Sequence, residues 1–470
     1  VKIGFVSLGC PKNLVDTEVM MGQLVARGHE LTPEPAEAEV IVVNTCSFID
    51  PAKQESVDTI LEMADYKKHG QARRLVVAGC LVERYRGELR KEIPEVDAVV
   101  GTNEIEQIVA ACEEGAEVAS SVPYLYHDAT ARVLTTPRHC AYVKIAEGCD
   151  HPCTFCVIPQ YRGAFRSRRF ESVVAEAQRL FASGVREVNL IGQDTTCYGE
   201  DLGIHEGLAA LLARLAQIET RHSKWIRFLY AYPNRVSQKL LDTIAGHEAL
   251  VKYLDMPLQH ASAPVLKRMK RGSHAGFFLK LIERVRATIP GVAIRSSFIV
   301  GFPGETEQDF EELCQFVLAA RFDRLGVFSY SDEDISASYH LDGKVDGRTI
   351  YNRKRRLMAV QRRISRENNR RVVGQELPVL VEGPSEETEL LWQGRLATQA
   401  PDIDGICYIN DGGVYPLRPG EMRRIRITEA HDYDLVGHLV DQPEPTWETP
   451  AAPLFPILPS HGTLATSRGQ

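Results

Sequence analysis

Cys149, Cys153 and Cys156 lie in the stretch Cys149-Asp150-His151-Pro152-Cys153-Thr154-Phe155-Cys156, three thiols at uneven spacing. Three such thiolates can each hold one iron of a cubane iron–sulfur cluster. No fourth cysteine follows at a regular interval, so one iron stays open. An open iron can take the amino and carboxylate groups of S-adenosylmethionine and pass an electron to its sulfonium, releasing a 5′-deoxyadenosyl radical. The competing readings are a zinc site completed by His151 or Cys140 and chance clustering.

A second set of cysteines is spread over the first part of the chain. Lys2-Ile3-Gly4-Phe5-Val6-Ser7-Leu8 runs into Gly9-Cys10, Val40-Ile41-Val42-Val43 into Asn44-Thr45-Cys46, and Leu75-Val76-Val77-Ala78 into Gly79-Cys80. Near-continuous β-branched runs alternating with helical patterns, such as Asn13 to Ala26 closed by Gly28, predict parallel strands covered on both faces. Ligands of such sheets sit at the carboxyl ends of the strands. Cys10, Cys46 and Cys80 each follow a strand directly, so they should converge. Gly9, Thr45 and Gly79 leave room for a bulky group near the backbone. Three buried structural cysteines are the alternative. Cys112, in a predicted helix from Ile105 to Glu114, follows no strand and is assigned a structural role.

Past a linker near Tyr124 to Pro137, strands and helices alternate again. The expected strands are Ala141 to Ala146, Glu187 to Ile191, Ile226 to Ala231, Tyr253 to Met256, Ala293 to Val300 and Arg324 to Phe328. Helices between them include Val173 to Ser183 and Phe310 to Ala320. Six βα units predict an open partial barrel with its chemistry at the carboxyl ends of the strands. Gly192-Gln193-Asp194-Thr195-Thr196 follows the second strand and offers small and polar groups to a cofactor; a turn with an aspartate cap is the alternative. Met256-Pro257-Leu258-Gln259-His260 ends the fourth. Arg295 lies inside the apolar fifth strand, where an arginine is costly unless paired, so it either binds a carboxylate or ribose of the cofactor or forms an internal ion pair. Cys197 and Cys314 have no evident partners.

The chain has 470 residues, enough for two or three domains, with 44% hydrophobic residues and a net charge of −8. No apolar run is long enough to cross a bilayer and the start shows no signal-peptide pattern, so a cytoplasmic location is expected. Eleven cysteines without a secretory pattern argue for metal ligands and free thiols. Residues 353–371 carry nine Lys or Arg against one Glu, a face able to touch phosphate or to pair with acidic neighbours. Short β-runs with turn signals from about 371 to 441 predict a small OB-like barrel. That segment holds six Arg, no Lys and thirteen Asp or Glu, a formal −7 that disfavours a phosphate backbone and favours a basic protein. Beyond 442 the chain is Pro-rich and is expected to be a disordered tail.

The Cys-x-x-x-Cys-x-x-Cys run followed by Ile158-Pro159-Gln160 and Arg162-Gly163 resembles the radical S-adenosylmethionine superfamily, in its methylthiotransferase branch. Gly9-Cys10-Pro11-Lys12-Asn13-Leu14-Val15-Asp16 is similar to the branch acting on a ribosomal protein, whereas the transfer-RNA branch usually has Gln-Met-Asn after the cysteine. The resemblance implies an N-terminal methylthiotransferase domain (1–123), a radical core with its basic helix (138–370), a TRAM domain (371–441) and a tail (442–470). It implies two 4Fe–4S clusters, on Cys149, Cys153 and Cys156 and on Cys10, Cys46 and Cys80. For S-adenosylmethionine it points to Phe155, Gly192, Gln193, Asp194, Gln259 and Arg295. The implied reaction is methylthiolation of the β-carbon of an aspartate in the twelfth protein of the small ribosomal subunit, an unactivated C–H bond that no general base can open. An electron-donor protein, and a secondary contact of residues 353–371 with ribosomal RNA, complete the expected partners. The family tends to have Glu-Glu-Gly-Thr where this chain has Tyr330-Ser331-Asp332-Glu333-Asp334-Ile335-Ser336-Ala337, which leaves that loop's shape open. Methylthiolation of a transfer-RNA adenosine is the nearest alternative, and a zinc-stabilised RNA-binding protein without catalysis the alternative of another class.

Overall fold

The computed structural model describes residues 1–115, 123–388, 390–443 and 457–458. Strands β1 (Lys2–Ser7), β2 (Glu30–Leu31), β3 (Val40–Thr45), β4 (Arg74–Gly79) and β5 (Ala98–Val100) form one sheet in the order β2-β1-β3-β4-β5, with every pairing parallel. Crossover helices Pro11–Ala26, Asp50–His69 and Cys80–Glu92 cover its faces. β3 is buried at every position, as the unbroken β-branched run requires. The first helix starts two residues earlier than its apolar pattern indicates because Pro11 is preorganised for the first turn. Ile105–Glu114 divides into a 3₁₀ turn, Ile105–Gln107, and an α-helix, Ile108–Glu114.

Eight strands make the central unit: β6 (Cys140–Lys144), β7 (Ala146–Glu147), β8 (Arg166–Ser167), β9 (Glu187–Ile191), β10 (Trp225–Phe228), β11 (Tyr253–Asp255), β12 (Ala293–Val300) and β13 (Arg324–Ser329). Six are parallel and form two three-stranded sheets, β10-β9-β6 and β11-β12-β13. A bridge between Ile226 and Leu250 and a hydrogen bond from Ala231 N to Asp255 O at 2.9 Å join the halves into an open barrel. β10 is shorter than its apolar run because Tyr230 takes a positive φ of 65° and turns the chain. The last long helix before β13 is Glu307–Ala320, lengthened at its start by a Thr306–Asp309 capping box.

The short antiparallel pair β7–β8 has a particular use. It pinches the base of the excursion 148–165, which contains the three closely spaced cysteines and the helix Ile158–Arg162. The excursion is thereby fixed at the mouth of the open barrel.

Strands β14 (Glu376–Pro384), β15 (Trp392–Leu396), β16 (Cys407–Asp411), β17 (Met422–Ala430) and β18 (Leu435–Leu439) close a small barrel in the order β14-β15-β16-β18-β17, which leaves no open sheet edge. Its loop between β15 and β16 enters the bottom of the open barrel. Ala400 is fully buried, Tyr142 Oη donates to Asp402 at 3.2 Å, and Tyr253 Oη donates to Asp404 at 2.7 Å. One apolar cluster joins all three units, with Val15 and Val19 from the first, Tyr253 and Ala293 from the second, and Ala400 and Met422 from the third. Most of the expected tail lies outside the described residues. Leu458, which is described, is buried against the first sheet and its N–H donates to Phe5 O at 2.6 Å.

Candidate active site between two cysteine groups

Cys149, Cys153 and Cys156 are half-buried and lie close enough that Cys149 feels the charge of Cys153, and Cys156 that of both other thiols. Backbone ties set the loop: Cys149 N donates to Gly163 O at 3.2 Å and Thr154 N to Met269 O at 3.1 Å. Burial pushes the Cys149 thiol up to about 11 and Cys156 up to about 12, so metal loading must expel protons. Arg271 Nη1 approaches Cys153 Sγ at 3.7 Å, and its guanidinium lies 4.2 Å from the centre of the Tyr232 ring. Tyr232 in turn stacks on His151 at 3.9 Å and 11°. An arginine, a tyrosine and a histidine therefore back one side of the loop.

A single zinc ion does not fit either group of thiols. With Zn–S bonds of about 2.3 Å, ligands on one ion lie roughly 4 Å apart. Among the described residues the ligand trio that lies within 4.8 Å is His151, Asp194 and Cys197, not a cysteine trio. The wider thiol spacing suits a multinuclear cluster, in which each sulfur takes its own iron. The partners weighed for zinc are also engaged elsewhere. Cys140 starts β6, distant from the mouth, and its sulfur accepts from Asn189 Nδ2 at 3.3 Å. His151 Nε2 pairs with Asp194 at 2.6 Å.

Cys10, Cys46 and Cys80 come together at the carboxyl edge of the first sheet. Gly9, with φ of 88°, sits so close that a Cβ there would lie 2.7 Å from Cys46 Cβ and 3.0 Å from its sulfur. Gly79, with φ of 97°, turns the chain so that Cys80 opens the next helix. Burial pushes Cys46 up to about 12, with Cys10 and Cys80 adding to it. Asn13 fixes the floor: its Nδ2 donates to Leu8 O at 3.1 Å and Thr45 O at 2.9 Å, while its Oδ1 faces Cys80 Sγ at 3.8 Å.

The two cysteine groups face each other across the helix Ile158–Arg162. Val157 and Tyr161 pack on Cys80. Arg162, 2% exposed, donates to Asp16 at 2.8 Å and Glu147 at 3.1 Å, bonds Asn13 Oδ1, and reaches Cys80 Sγ at 3.7 Å. Lys144 bonds Asp16 and also Glu147 at 2.6 Å. Lys12 lies 3.5 Å from the centre of the Tyr230 ring and 3.4 Å from Gly192 O. Burial raises the cost of a charged Glu147, but Arg162 and Lys144 outweigh it and hold the carboxyl far below its ordinary range.

The residues expected to touch S-adenosylmethionine are distributed unevenly. Gly192 and Gln193 stand at the mouth, with Gln193 Nε2 on Glu147 at 2.5 Å. Phe155 packs beside Val265, Met269 and Phe302. Gln259 holds a φ of 73° between backbone bonds to Ser297 O and from Ile299 N, a conformation that costs a non-glycine residue energy and recurs at ligand sites. Asp194 is engaged in the local turn, accepting from Thr196 N at 2.8 Å, Cys197 Sγ at 2.9 Å and His151. Arg295 lies low in its strand, paired with Asp255 at 2.8 Å and 3.8 Å from Asp404 of the terminal barrel. For these two the cap and the internal ion pair describe what the side chains do.

Three family models match the chain: Uncharacterized protein family UPF0004 over residues 2–101, the radical SAM superfamily over 143–317, and the TRAM domain over 373–440. A protein of Solibacter usitatus, ribosomal protein uS12 methylthiotransferase RimO, is 73% identical over 96% of this chain and 97% of its own. The chain belongs to the uS12 methylthiotransferase family. A Koribacter versatilis relative with the same description is 56% identical over 93% of this chain and 96% of its own. Among solved structures, the radical S-adenosylmethionine methyltransferase TsrM of Kitasatospora setae matches with a TM-score of 0.52 at 14% identity, covering 70% of this chain and 72% of that one. That likeness concerns the fold. As a radical S-adenosylmethionine enzyme of the uS12 methylthiotransferase family, the protein uses 4Fe–4S clusters and S-adenosylmethionine.

Several residues of this site were not singled out from the sequence. Lys144, Glu147, Tyr230, Tyr232 and Arg271 acquire their roles through contacts across long separations. Asp16 and Arg162 stood inside quoted motifs, but their pairing joins positions 146 residues apart. The charge picture also changes. Arg395 and Arg423 of the terminal barrel are buried. Among its described residues Glu386, Glu387, Asp402, Asp411 and Glu429 are exposed, against Arg371, Arg418, Arg424 and Arg426. Glu376, Glu382, Asp404, Asp432, Asp434 and Asp441 are half-buried, and among the described acidic residues only Glu421 is buried, so the barrel's described exterior stays acidic, as the formal −7 indicates.

Proposed function

We propose that this protein methylthiolates the β-carbon of an aspartate in ribosomal protein uS12. Cys149, Cys153 and Cys156 hold one 4Fe–4S cluster, and Cys10, Cys46 and Cys80 hold a second. When bound, these groups and S-adenosylmethionine supply a carbon radical for the C–H bond and the sulfur and methyl group to be installed. Phe155 contacts S-adenosylmethionine from the cysteine loop, and Gly192, Gln193 and Gln259 contact it from the segments that follow their strands. Asp194 holds the cysteine loop through His151, and Arg295 braces the lower barrel through Asp255. The observation that carries the reading is the short helix Ile158–Arg162, which begins two residues after Cys156 and meets Cys80 through Tyr161 and Arg162. A radical made at one and sulfur held at the other are then neighbours across one short helix.

The tail of the reaction path concerns partners. The TRAM domain supports RNA contact, and the basic helix contributes in part. Arg353 is buried on Glu305 at 2.9 Å, Arg356 pairs with Glu307 and Glu311, and Arg366 with Asp432. Arg355 and Arg370 on the same helix are exposed and suited to phosphate. A redox protein supplies electrons. No helix is long and apolar enough to cross a membrane, and a cytoplasmic location suits a ribosomal substrate.

Incubating reconstituted protein with S-adenosylmethionine, a reductant and either uS12 or transfer RNA tests the proposal. The expected result is a mass gain of one methylthio group on an aspartate of uS12. Modification of the RNA alone overturns it.

A further inference from the structure

Among the groups that the reaction does not directly require, Arg162 is the most heavily invested. It is the last residue of a one-turn helix that begins two positions after Cys156, and it is almost wholly buried. Its fork is divided. Nη1 serves the carboxylates Asp16 and Glu147, at 2.8 and 3.1 Å; Nη2 serves Asn13 Oδ1 and Cys80 Sγ, the sulfur at 3.7 Å. One side chain thus links β7 of the central unit, the first helix of the N-terminal unit and a thiol of the second cysteine group. Lys144 touches the same two carboxylates.

We propose that Arg162 is a positioning residue that anchors the Cys80 thiolate to the radical-site loop and raises the reduction potential of the N-terminal cluster. This rests on the reading that Cys10, Cys46 and Cys80 hold a cluster. The physical reason is direct. Reduction adds negative charge to a cluster, and a buried cation donating to one of its sulfurs favours the more negative state. A lysine is a point charge without the planar fork, so it cannot serve carboxylates on one edge and a sulfur on the other. The carboxylates keep the guanidinium from collapsing onto the cluster and fix its aim. Preorganised in this way, the contact is present before any substrate arrives.

The test uses full-length chain with Cys149, Cys153 and Cys156 all replaced by Ala, so that only the N-terminal cluster remains. Iron and acid-labile sulfide in this background check the cluster reading itself; their absence overturns that reading and not the role of Arg162. Arg162→Gln and Arg162→Lys are then made in the same background, and the midpoint potential is measured by a spectroscopically monitored redox titration. The expected result is a shift to more negative potential in both, larger for Gln than for Lys. A potential equal to the parent's in either variant that retains iron overturns the tuning role. Should both variants lose iron, their melting profiles decide: an unchanged profile supports the anchoring of Cys80, and a collapsed profile overturns the proposal by reducing Arg162 to a strut of the fold.

Discussion

Replacing Glu187 with Gln tests how the terminal barrel is held to the radical core. Glu187 opens β9 and is fully buried. It accepts from Arg227 of the neighbouring strand at 2.9 Å and from Arg395 of the terminal barrel at 2.5 Å. Burial pushes its carboxyl up, but Arg395 and Arg227 outweigh burial and hold it below the ordinary value. In the Gln variant Arg395 keeps Glu382 at 2.6 Å. Arg227 keeps Gln399 O at 3.1 Å, the Tyr253 ring and at most a neutral amide oxygen in place of the carboxylate, and its Nη1 already lacks a hydrogen-bond partner. A buried cation is left uncompensated, a loss worth about 3–5 kcal/mol. For units of this size that lowers the melting temperature by roughly 6–20 °C. The exposed pair Glu376–Arg426 gives the contrast, since its loss costs about 0–1 kcal/mol. The pH dependence has a definite sign. A depressed carboxylate contributes stability above its unfolded value near 4.5 and loses it as pH falls through the folded value. The gap between parent and Glu187→Gln should therefore narrow below pH 4.5, as followed by calorimetry. A Glu187→Gln protein that melts within a degree of the parent at neutral pH refutes the clamp.

Three further outcomes are expected. Gly79→Ala should lose the N-terminal cluster, since a Cβ there would lie 2.5 Å from Thr45 O and against Asn44 at a φ that disfavours side chains; iron per chain should fall from about eight toward about four. Asp194→Asn should slow release of 5′-deoxyadenosine roughly 10–100-fold, because the loop loses its charged tie to His151; an unchanged rate in a quench assay would mean that the tie is dispensable. Thr306→Ala should cost about 1 kcal/mol by removing the capping box, visible in thermal unfolding with methylthio transfer unaltered.

The placement of Cys10, Cys46 and Cys80 was legible because a parallel sheet leaves few choices: residues that follow its strands must share one edge. Glu187–Ile191 and Ala293–Val300 were legible to the residue because β-branched and apolar residues recur along each between turn signals. Ends set by special backbone were not. Tyr230 cuts β10 short with a positive φ that nothing in its side chain announces. Arg295 and Asp194 show a different limit. A costly charge in a strand and an aspartate after one each fit two roles, and only the position of Asp255 or Thr196 distinguishes them. The charge of the terminal barrel was legible in sign but not in size: a count gives arginines equal weight, whereas burial of Arg395 and Arg423 takes them off the surface and leaves it more acidic than the count.

The segment that departs from the family pattern shows how the two cysteine groups keep their separation. Glu333, 3% exposed, accepts from Lys53 at 2.8 Å and from Arg84 at 2.5 Å, both on helices of the N-terminal unit. Gln160, on the short helix between the cysteine groups, donates to Ile335 O at 2.8 Å. The rim loop after β13 therefore holds the N-terminal unit and the helix Ile158–Arg162 at once. With Arg162 fixing one side and Glu333 the other, neither unit can rotate about that helix without breaking buried charge pairs, each costing several kcal/mol. The two cysteine groups, on separate domains, thus gain the rigidity of one, and the loop without its glycine forms a clasp that uses acidic side chains rather than backbone freedom.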